Sequence, residues 1–399
     1  MSKYKIDASK GKKSAALLAL SSAAMLLPAL SNNALADAPP ENIELAYRYS
    51  NYQEEATDAA KTFGPNSSGL SSSVDRYNIE INQFRLLLPV GDKYSLAVDL
   101  QTEALSGASP WFTGSADGKT KLVMSGASIK EDREDIAANF RFYASEGNAG
   151  ISLSRSNEND YVSNAFSLDG SYNINEKHTT LSAGLSFSDD TIEPTQGLIP
   201  VEIIKESKNS TSLFVGVGQV INKNAILQAG LSYTRLSGYL TDPYKYRDQR
   251  PGDRQQWAWS LGYRQYISSA DAALQADYRF YNDDWGINSH TLSLAWYQNV
   301  KEYLKIIPYA RYYTQQEADF FSNNARLNDA YFADDFRLST YGAFTTGLRV
   351  EADYKSWTFI VSGEFYDSDS RYGISNSNEE SPGLVSYGRY TFGVNYTFK

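Results

Sequence analysis

The sequence predicts an all-β chain: a transmembrane antiparallel up-and-down β-barrel of about 16 strands, with short periplasmic turns and long extracellular loops. Three observations predict it. First, apolar side chains fall on every second position through four runs between Gln255 and Tyr313. Trp257, Trp259, Leu261 and Tyr263 alternate with Gln256, Ser260 and Arg264 in the first, and Leu274, Ala276, Tyr278 and Phe280 with Gln275, Asp277 and Arg279 in the second. Leu292, Leu294 and Trp296 mark the third run; Leu304, Ile306, Pro308, Ala310 and Tyr312 mark the fourth. Period two is the signature of a strand with one apolar and one polar face. Second, the polar face carries Arg, Asp and Gln near mid-strand while Trp and Tyr edge the apolar face, which fits lipid outside and water inside better than a soluble sandwich. Third, short and long links alternate along the whole chain, as turns and loops do on the two sides of an outer membrane.

Composition agrees. The 399 residues include 30 Tyr, 18 Phe, 6 Trp and no Cys, and mean hydropathy is low at −0.46. After the first 30 or so residues no apolar run reaches the roughly 18 residues a membrane helix needs. Absent cysteine excludes disulfides, thiolate metal sites and covalently attached c-type haem. Residues 1–36 read as a signal peptide: a basic region with Lys3, Lys5, Lys10, Lys12 and Lys13, an apolar stretch from Ser14 to Leu30, and a small-x-small site at Ala34-Leu35-Ala36. The mature barrel then occupies 37–399, and removal of the signal takes the formal charge from −10 to −14. An acidic exported chain lacks the basic patch of a nucleic-acid binder.

Taken in order, Ile43, Leu45, Tyr47 and Tyr49 mark the first strand, and a polar link from Gln53 to Val74 follows. The second strand, Tyr77 to Leu88, switches apolar parity from Ile79 and Ile81 to Phe84, Leu86 and Leu88; a β-bulge near Asn82-Gln83 would explain the switch. Pro89-Val90-Gly91-Asp92 turns the chain into Tyr94, Leu96, Val98 and Leu100. The longest link, Leu105 to Asp132, contains Ser-Gly-Ala-Ser twice, and small residues permit close backbone approach. Ser106, Gly107, Ser109, Trp111, Ser125 and Gly126 are therefore candidates for a constriction loop folded into the lumen, the alternative being an exposed loop stacked on the rim.

Ile136, Phe140 and Phe142, then Ile151 and Leu153, then Phe166, Leu168 and Tyr172, then Leu181 to Phe187 give four further strands. Leu213 to Val217 and Leu227 to Tyr233 flank a turn at Asn222-Lys223-Asn224, and a long link from Leu236 to Arg254 reaches Gln255. After Tyr313 a link runs from Gln315 to Arg337; Phe344, Leu348 and Val350, then Trp357 to Phe365, form a hairpin; Asp367 to Ser386 is the last long link. Phe392, Val394, Tyr396 and Phe398 read as the C-terminal signal by which the barrel assembly machinery recognises such chains, with Lys399 after the aromatic as a departure.

Several segments resemble an uncharacterised family of exported bacterial proteins, domain of unknown function 3570. They are Ser106-Gly107-Ala108-Ser109-Pro110-Trp111, Ser125-Gly126-Ala127-Ser128, Glu158-Asn159-Asp160-Tyr161, Tyr239-Leu240-Thr241-Asp242-Pro243-Tyr244, Tyr281-Asn282-Asp283-Asp284-Trp285-Gly286 with His290-Thr291, and Arg311-Tyr312-Tyr313 with Ala318-Asp319-Phe320-Phe321. The resemblance implies an outer-membrane barrel and brings no established substrate or catalytic residues. It also implies an association with small lipoproteins and flavin-transfer proteins.

The parity places Glu44, Arg48, Asp99, Arg141, Arg264, Asp277, Arg279, Arg311, Arg349, Glu351, Glu364 and Arg389 on the lumen face. Such charges set ion preference in a channel, or brace the wall by cross-strand pairing. Arg279 and Arg311 fall two strands apart, as a local positive patch. The two histidines, His178 in a periplasmic turn and His290 near Asp283 and Asp284, give no partnered general base. The acidic residues Glu317, Asp319, Asp329, Asp334 and Asp335 match no calcium loop and read as a solvated surface. No cofactor or metal motif is present. The first strand begins about ten residues after the cleavage site, which leaves no room for an N-terminal plug. The expectation is an exported outer-membrane barrel, not an enzyme, forming a porin-like passive or accessory channel for small solutes. The alternative is a non-conducting barrel that scaffolds a periplasmic or surface partner. Expected contacts are outer-membrane lipid and lipopolysaccharide, the assembly machinery and a small lipoprotein.

Overall fold

A computed structural model describes residues 38–63, 74–124, 129–194, 205–324, 329–375 and 380–399. The signal-peptide assignment, and with it the proposed first mature residue Asp37, lies outside them.

In hydrocarbon a backbone N–H or C=O without a partner costs several kcal/mol, so strands that cross a bilayer must pair until the sheet closes. This chain does so with sixteen strands. They are β1 (Glu44–Glu54), β2 (Asn78–Val90), β3 (Tyr94–Gly107), β6 (Ile129–Ala144), β7 (Gly147–Asn157), β8 (Tyr161–Ile174), β9 (Thr179–Ile192), β10 (Glu206–Asn222), β11 (Ala225–Gly238), β12 (Asp253–Ile267), β13 (Ala272–Asp283), β14 (Asn288–Lys301), β15 (Leu304–Gln315), β16 (Tyr341–Tyr354), β17 (Trp357–Asp369) and β18 (Ser386–Thr397). Each pairs antiparallel with its neighbour in sequence, and β1 closes on β18 from Glu44↔Thr397 to Glu54↔Tyr387. Two further strands, β4 (Pro110–Ala116) and β5 (Lys119–Met124), form a separate hairpin inside the link between β3 and β6.

The outer face is apolar. Leu100, Ile151, Leu168, Leu181, Val215, Leu261, Leu294, Leu348 and Val361 are among the exposed residues that form its band. Aromatic groups edge it on both sides. Tyr233 packs on Trp257 at a ring-centroid distance of 4.6 Å, and Trp259 on Phe280 at 5.5 Å, towards the loop side. Trp357 packs on Tyr396 at 4.5 Å, and Tyr396 on Phe398 at 4.7 Å, towards the turn side. These are interfacial girdles.

The bulge expected near Asn82-Gln83 is absent. Pairing of β2 with β1 runs unbroken from Asn78↔Gln53 to Leu87↔Glu44, and its pairing with β3 is likewise continuous. The parity switch is real but means something else. Phe84 faces out, whereas Ile79, 4% exposed, points inwards and packs with Tyr77, Leu105, Tyr52 and Ile81. The inner wall turns apolar at its outer end because something fills the mouth there.

That filling is made of loops. Trp285, Ile287, Ala318, Phe321, Ala333 and Leu338 build a small core outside the wall strands' apolar band. Asn323, midway along its loop, is 1% exposed, and Asp334 and Asp335 are buried, which corrects the reading of this acidic link as a solvated surface. Glu317 and Asp319 do remain exposed.

Two measurements check this architecture. Leu261 is 52% exposed on the outer face, so Leu261→Arg should cost about 2–4 kcal/mol of barrel stability in lipid. The inner-face control is Gln228→Arg, where Asp277 is close enough to offset a charge added near Arg264; Ser260 is a poorer control, since it lies opposite Arg279. Equal destabilisation at Leu261 and Gln228 in urea melts would mean that the two faces are wrongly assigned. Orientation is read by impermeant thiol labelling of whole cells: cysteines at Asn222 or Glu302, in the short turns, stay unlabelled, and one at exposed Asn324 reacts.

Candidate channel and its capped mouth

The inner wall is assembled by strict alternation. In register, Gly262 lies opposite Asp277 and Arg279 opposite Ser260 and Thr291, while Arg311 meets Ser293 and Thr345. Most inner charges are paired across or along strands. Arg264 Nη2 lies 2.7 Å from Asp277 Oδ1, Arg389 Nε 3.0 Å from Glu364 Oε1, and Arg141 Nη2 2.6 Å from Asp169 Oδ2. Arg349 pairs with Glu351, and Arg85 Nη1 approaches Asp99 Oδ1 at 3.4 Å. Arg48 donates to Asn395 Oδ1 at 2.6 Å.

Arg279 and Arg311, like Arg48, lack a carboxylate partner among the described residues. The Arg279 guanidinium lies 5.3 Å from the Tyr281 ring centroid, and Arg311 Nε donates to Ser293 Oγ at 3.2 Å. They sit two strands apart, about 10 Å at a strand spacing of roughly 4.8 Å. Aromatic side chains also enter the lumen, Phe214 and Tyr309 among them, which the charge pattern does not reveal. Phe214 lies over Gly216 and Gly230, where an added Cβ would meet its ring at 2.8 and 2.9 Å. Tyr309 lies over Gly347 and donates to Glu364 Oε2 at 2.7 Å. A glycine in mid-strand beside an aromatic on the inner face is the readable signal.

The candidate constriction residues fall in three places. Ser106 and Gly107 end β3; Gly107 has φ +129°, and a Cβ there would meet Arg76 O at 2.3 Å, so only glycine fits. Ser109 and Trp111 lie at the start of the β4–β5 hairpin, and Ser125 and Gly126 lie outside the described residues. The hairpin is the centre of the cap. Its Thr113 Oγ1 donates to Asn323 O at 2.7 Å, and Thr113 also donates to Asp334. Trp111 and Phe112 pack on Tyr246 at 6.2 and 5.3 Å, Lys245 Nζ donates to Pro110 O at 3.1 Å, and Phe63 N to Leu122 O at 3.0 Å. In barrel order six strands, β6 to β11, separate the hairpin's root from the loop carrying Tyr246. Six others, β3, β2, β1, β18, β17 and β16, separate it from the loop carrying Asp334. Contacts across such an arc require the loops to meet over the mouth.

A buried ionic knot fastens them. Asp335, 0% exposed, accepts from Arg250 Nη2 at 3.0 Å and from Arg337 Nε at 2.9 Å. Arg250 also bonds Asp248, at 2.8 Å, and Arg337 reaches Asp242 at 3.3 Å. Burial alone would raise the Asp335 carboxyl, but Arg337, Lys245 and Arg250 hold it well below its usual range.

The catalytic alternatives do not assemble. His290 faces outwards, its Nδ1 2.7 Å from Tyr278 Oη and its ring 5.1 Å from Phe280, while Asp283 points inwards. There Asp283 accepts from Arg254 Nε at 2.9 Å and Tyr281 Oη at 2.6 Å. His178 Nδ1 lies 2.8 Å from Asn175 O within its turn.

Beside the cap lies an acidic cluster that the sequence reading did not find. Glu131 continues the inner face of β6, two residues before Arg133, and Glu158 and Asp160 form the β7–β8 link. One carboxylate oxygen from each of Glu131, Glu158 and Asp160 lies within 4.8 Å of the others, and all three residues are buried. Arg133 reaches Glu103 at 3.7 Å, Asp135 at 2.9 Å and Glu158 at 3.7 Å. Burial pushes the Glu158 carboxyl up to about 8, against the pull of Arg133 and with help from Asp160, Glu103 and Asp135.

The fold is that of solved outer-membrane barrels. The chain superposes on a bacterial polysaccharide outer membrane secretin with a TM-score of 0.50 and 10% identity, covering 90% of this chain and 99% of that one. On CdiB from Acinetobacter baumannii the TM-score is 0.51 with 9% identity, over 90% of this chain and 60% of that chain. Identities this low speak for the fold alone. A search of curated proteins finds no match. The sequence matches the profile of the family described as protein of unknown function (DUF3570) over residues 17–387, and the chain belongs to that family.

Proposed function

We propose that this protein is an outer-membrane, porin-like passive or accessory channel for small solutes, whose conduction is limited by the loop cap. The observation that carries the reading is the polar inner wall on which Arg48, Arg279 and Arg311 have no carboxylate partner among the described residues, the last two as a local positive patch. A barrel of this strand number is wide enough for an aqueous channel. Inside it, screening over about 8–10 Å lets a positive patch bias ion choice without excluding either sign. A second reading rests on the cap: loops locked across the mouth suit a non-conducting barrel that holds a periplasmic or surface partner, such as a small lipoprotein. In both readings lipid, lipopolysaccharide and the assembly machinery are the expected surroundings.

Planar-bilayer recording separates the two. Changing Arg279 and Arg311 together to Glu should move the reversal potential in a salt gradient towards cation preference, with the barrel still folded. An unmoved potential in a conducting channel would reduce these arginines to wall braces. Asp335→Asn removes the centre of the ionic knot, should cost the cap about 3 kcal/mol, and should raise conductance and protease access to the loops. A carboxyl held low stabilises above its unfolded value near 3.9 and loses that contribution as pH falls through the folded one. The wild-type cap should therefore loosen only below about pH 4, and Asp335→Asn should abolish that transition. Silence from both the wild-type and the loosened barrel would favour the scaffold.

A further inference from the structure

We infer that Glu131, Glu158 and Asp160 form a Ca²⁺ site that ties two extracellular segments together beside the cap, with a third held to it through Tyr244. Two separate observations carry it. The first is geometric. Three oxygens within 4.8 Å of one another lie at most about 2.8 Å from a common centre, so shifts of a few tenths of an ångström bring all three to Ca–O bonds of roughly 2.3–2.6 Å. The second is an unmet need. Glu158 is 5% exposed, yet neither of its carboxylate oxygens accepts a hydrogen bond, and Arg133 Nε stands off at 3.7 Å. Arg133 is already committed, its Nε donating to Asp135 at 2.9 Å and to Ser156 at 3.0 Å. A buried carboxylate without hydrogen bonds calls for an ion, a proton or a water.

The chemistry selects a hard cation. All three donors are carboxylates, and no described His or Cys joins them. Mg²⁺ requires tighter octahedral bonds of about 2.1 Å and gives up its waters reluctantly, whereas Ca²⁺ accepts loose carboxylate cages. The high proton affinity of Glu158 has the same origin, since several acidic groups crowd one arginine in a dry place. The site also sits where a brace is useful. Glu131 belongs to the strand that leaves the hairpin link, and Glu158 and Asp160 to the β7–β8 link. Tyr244, from the loop between β11 and β12, donates its hydroxyl to Asp160. One ion would pin β6 to the β7–β8 link, and Tyr244 would hold the third segment to it. Such a brace would hold the loops whether or not the lumen conducts.

The test uses the full chain, refolded in detergent, stripped with chelator and titrated calorimetrically with CaCl₂ and with MgCl₂. Expected is saturable Ca²⁺ binding, at least about tenfold tighter than Mg²⁺, with a Ca²⁺-dependent rise in Tm. Glu158→Gln should weaken Ca²⁺ by about 100-fold while the barrel keeps its heat-modifiable gel mobility. Asp160→Asn is the second variant, should Glu158→Gln fail to fold. No binding heat at millimolar Ca²⁺, as when Glu158 simply holds a proton, overturns the site. So does unchanged affinity in a folded variant.

Discussion

Closure of the backbone hydrogen-bond ladder is the constraint on which the rest depends. Lipid offers no partner to a free N–H or C=O, so every strand must pair on both sides and the first must meet the last. Once β1 pairs with β18, each wall residue has one of two fates, outwards or inwards, fixed by position along its strand. Leu261 and Gly262, adjacent in sequence, thereby serve different solvents. The aromatic girdles, the inner ion pairs and the short turns all follow from that division.

The same constraint explains where the chain is free. Ladder pairing ends at the outer rim, and there the loops obey ordinary aqueous packing. They bury a small apolar core around Trp285 and Ala333, and they extend apolar packing down the wall through Ile79 and Leu105. A parity switch in β2 is therefore the boundary between a wall facing water and a wall facing protein. Ile79 and Ile81 point inwards because Tyr77 and Leu105 are there to receive them.

This locates what the sequence made legible. Alternation is a local property, so sixteen wall strands, their faces and the placement of Arg279 opposite Thr291 could be counted off along the chain. Contacts between loops are not local. Thr113 and Asn323 are bonded yet lie 210 residues apart, and nothing in either segment announces the other. The β4–β5 hairpin stays hidden inside the long link for a related reason: its strands are short, and Phe112, Leu122 and Met124 do not alternate cleanly with polar residues over such a length. Asp334 and Asp335 look solvated in sequence because acidic loop residues usually are; their burial depends on Arg250 and Arg337 arriving from elsewhere.

The distribution of charge then separates wall from cap. Along the wall, ion pairs such as Arg264–Asp277 are water-accessible, and such pairs contribute little to stability. In the cap, Asp335 is fully buried between two arginines, where breaking the set leaves uncompensated charge and becomes expensive. Arrangements of that kind have few alternative geometries of similar energy, so the knot holds the loops in one register across a mouth that they share with no strand. The charge pattern of the wall is thus carried by side chains that can be exchanged cheaply, and the arrangement of the loops over the mouth by a group of residues that cannot.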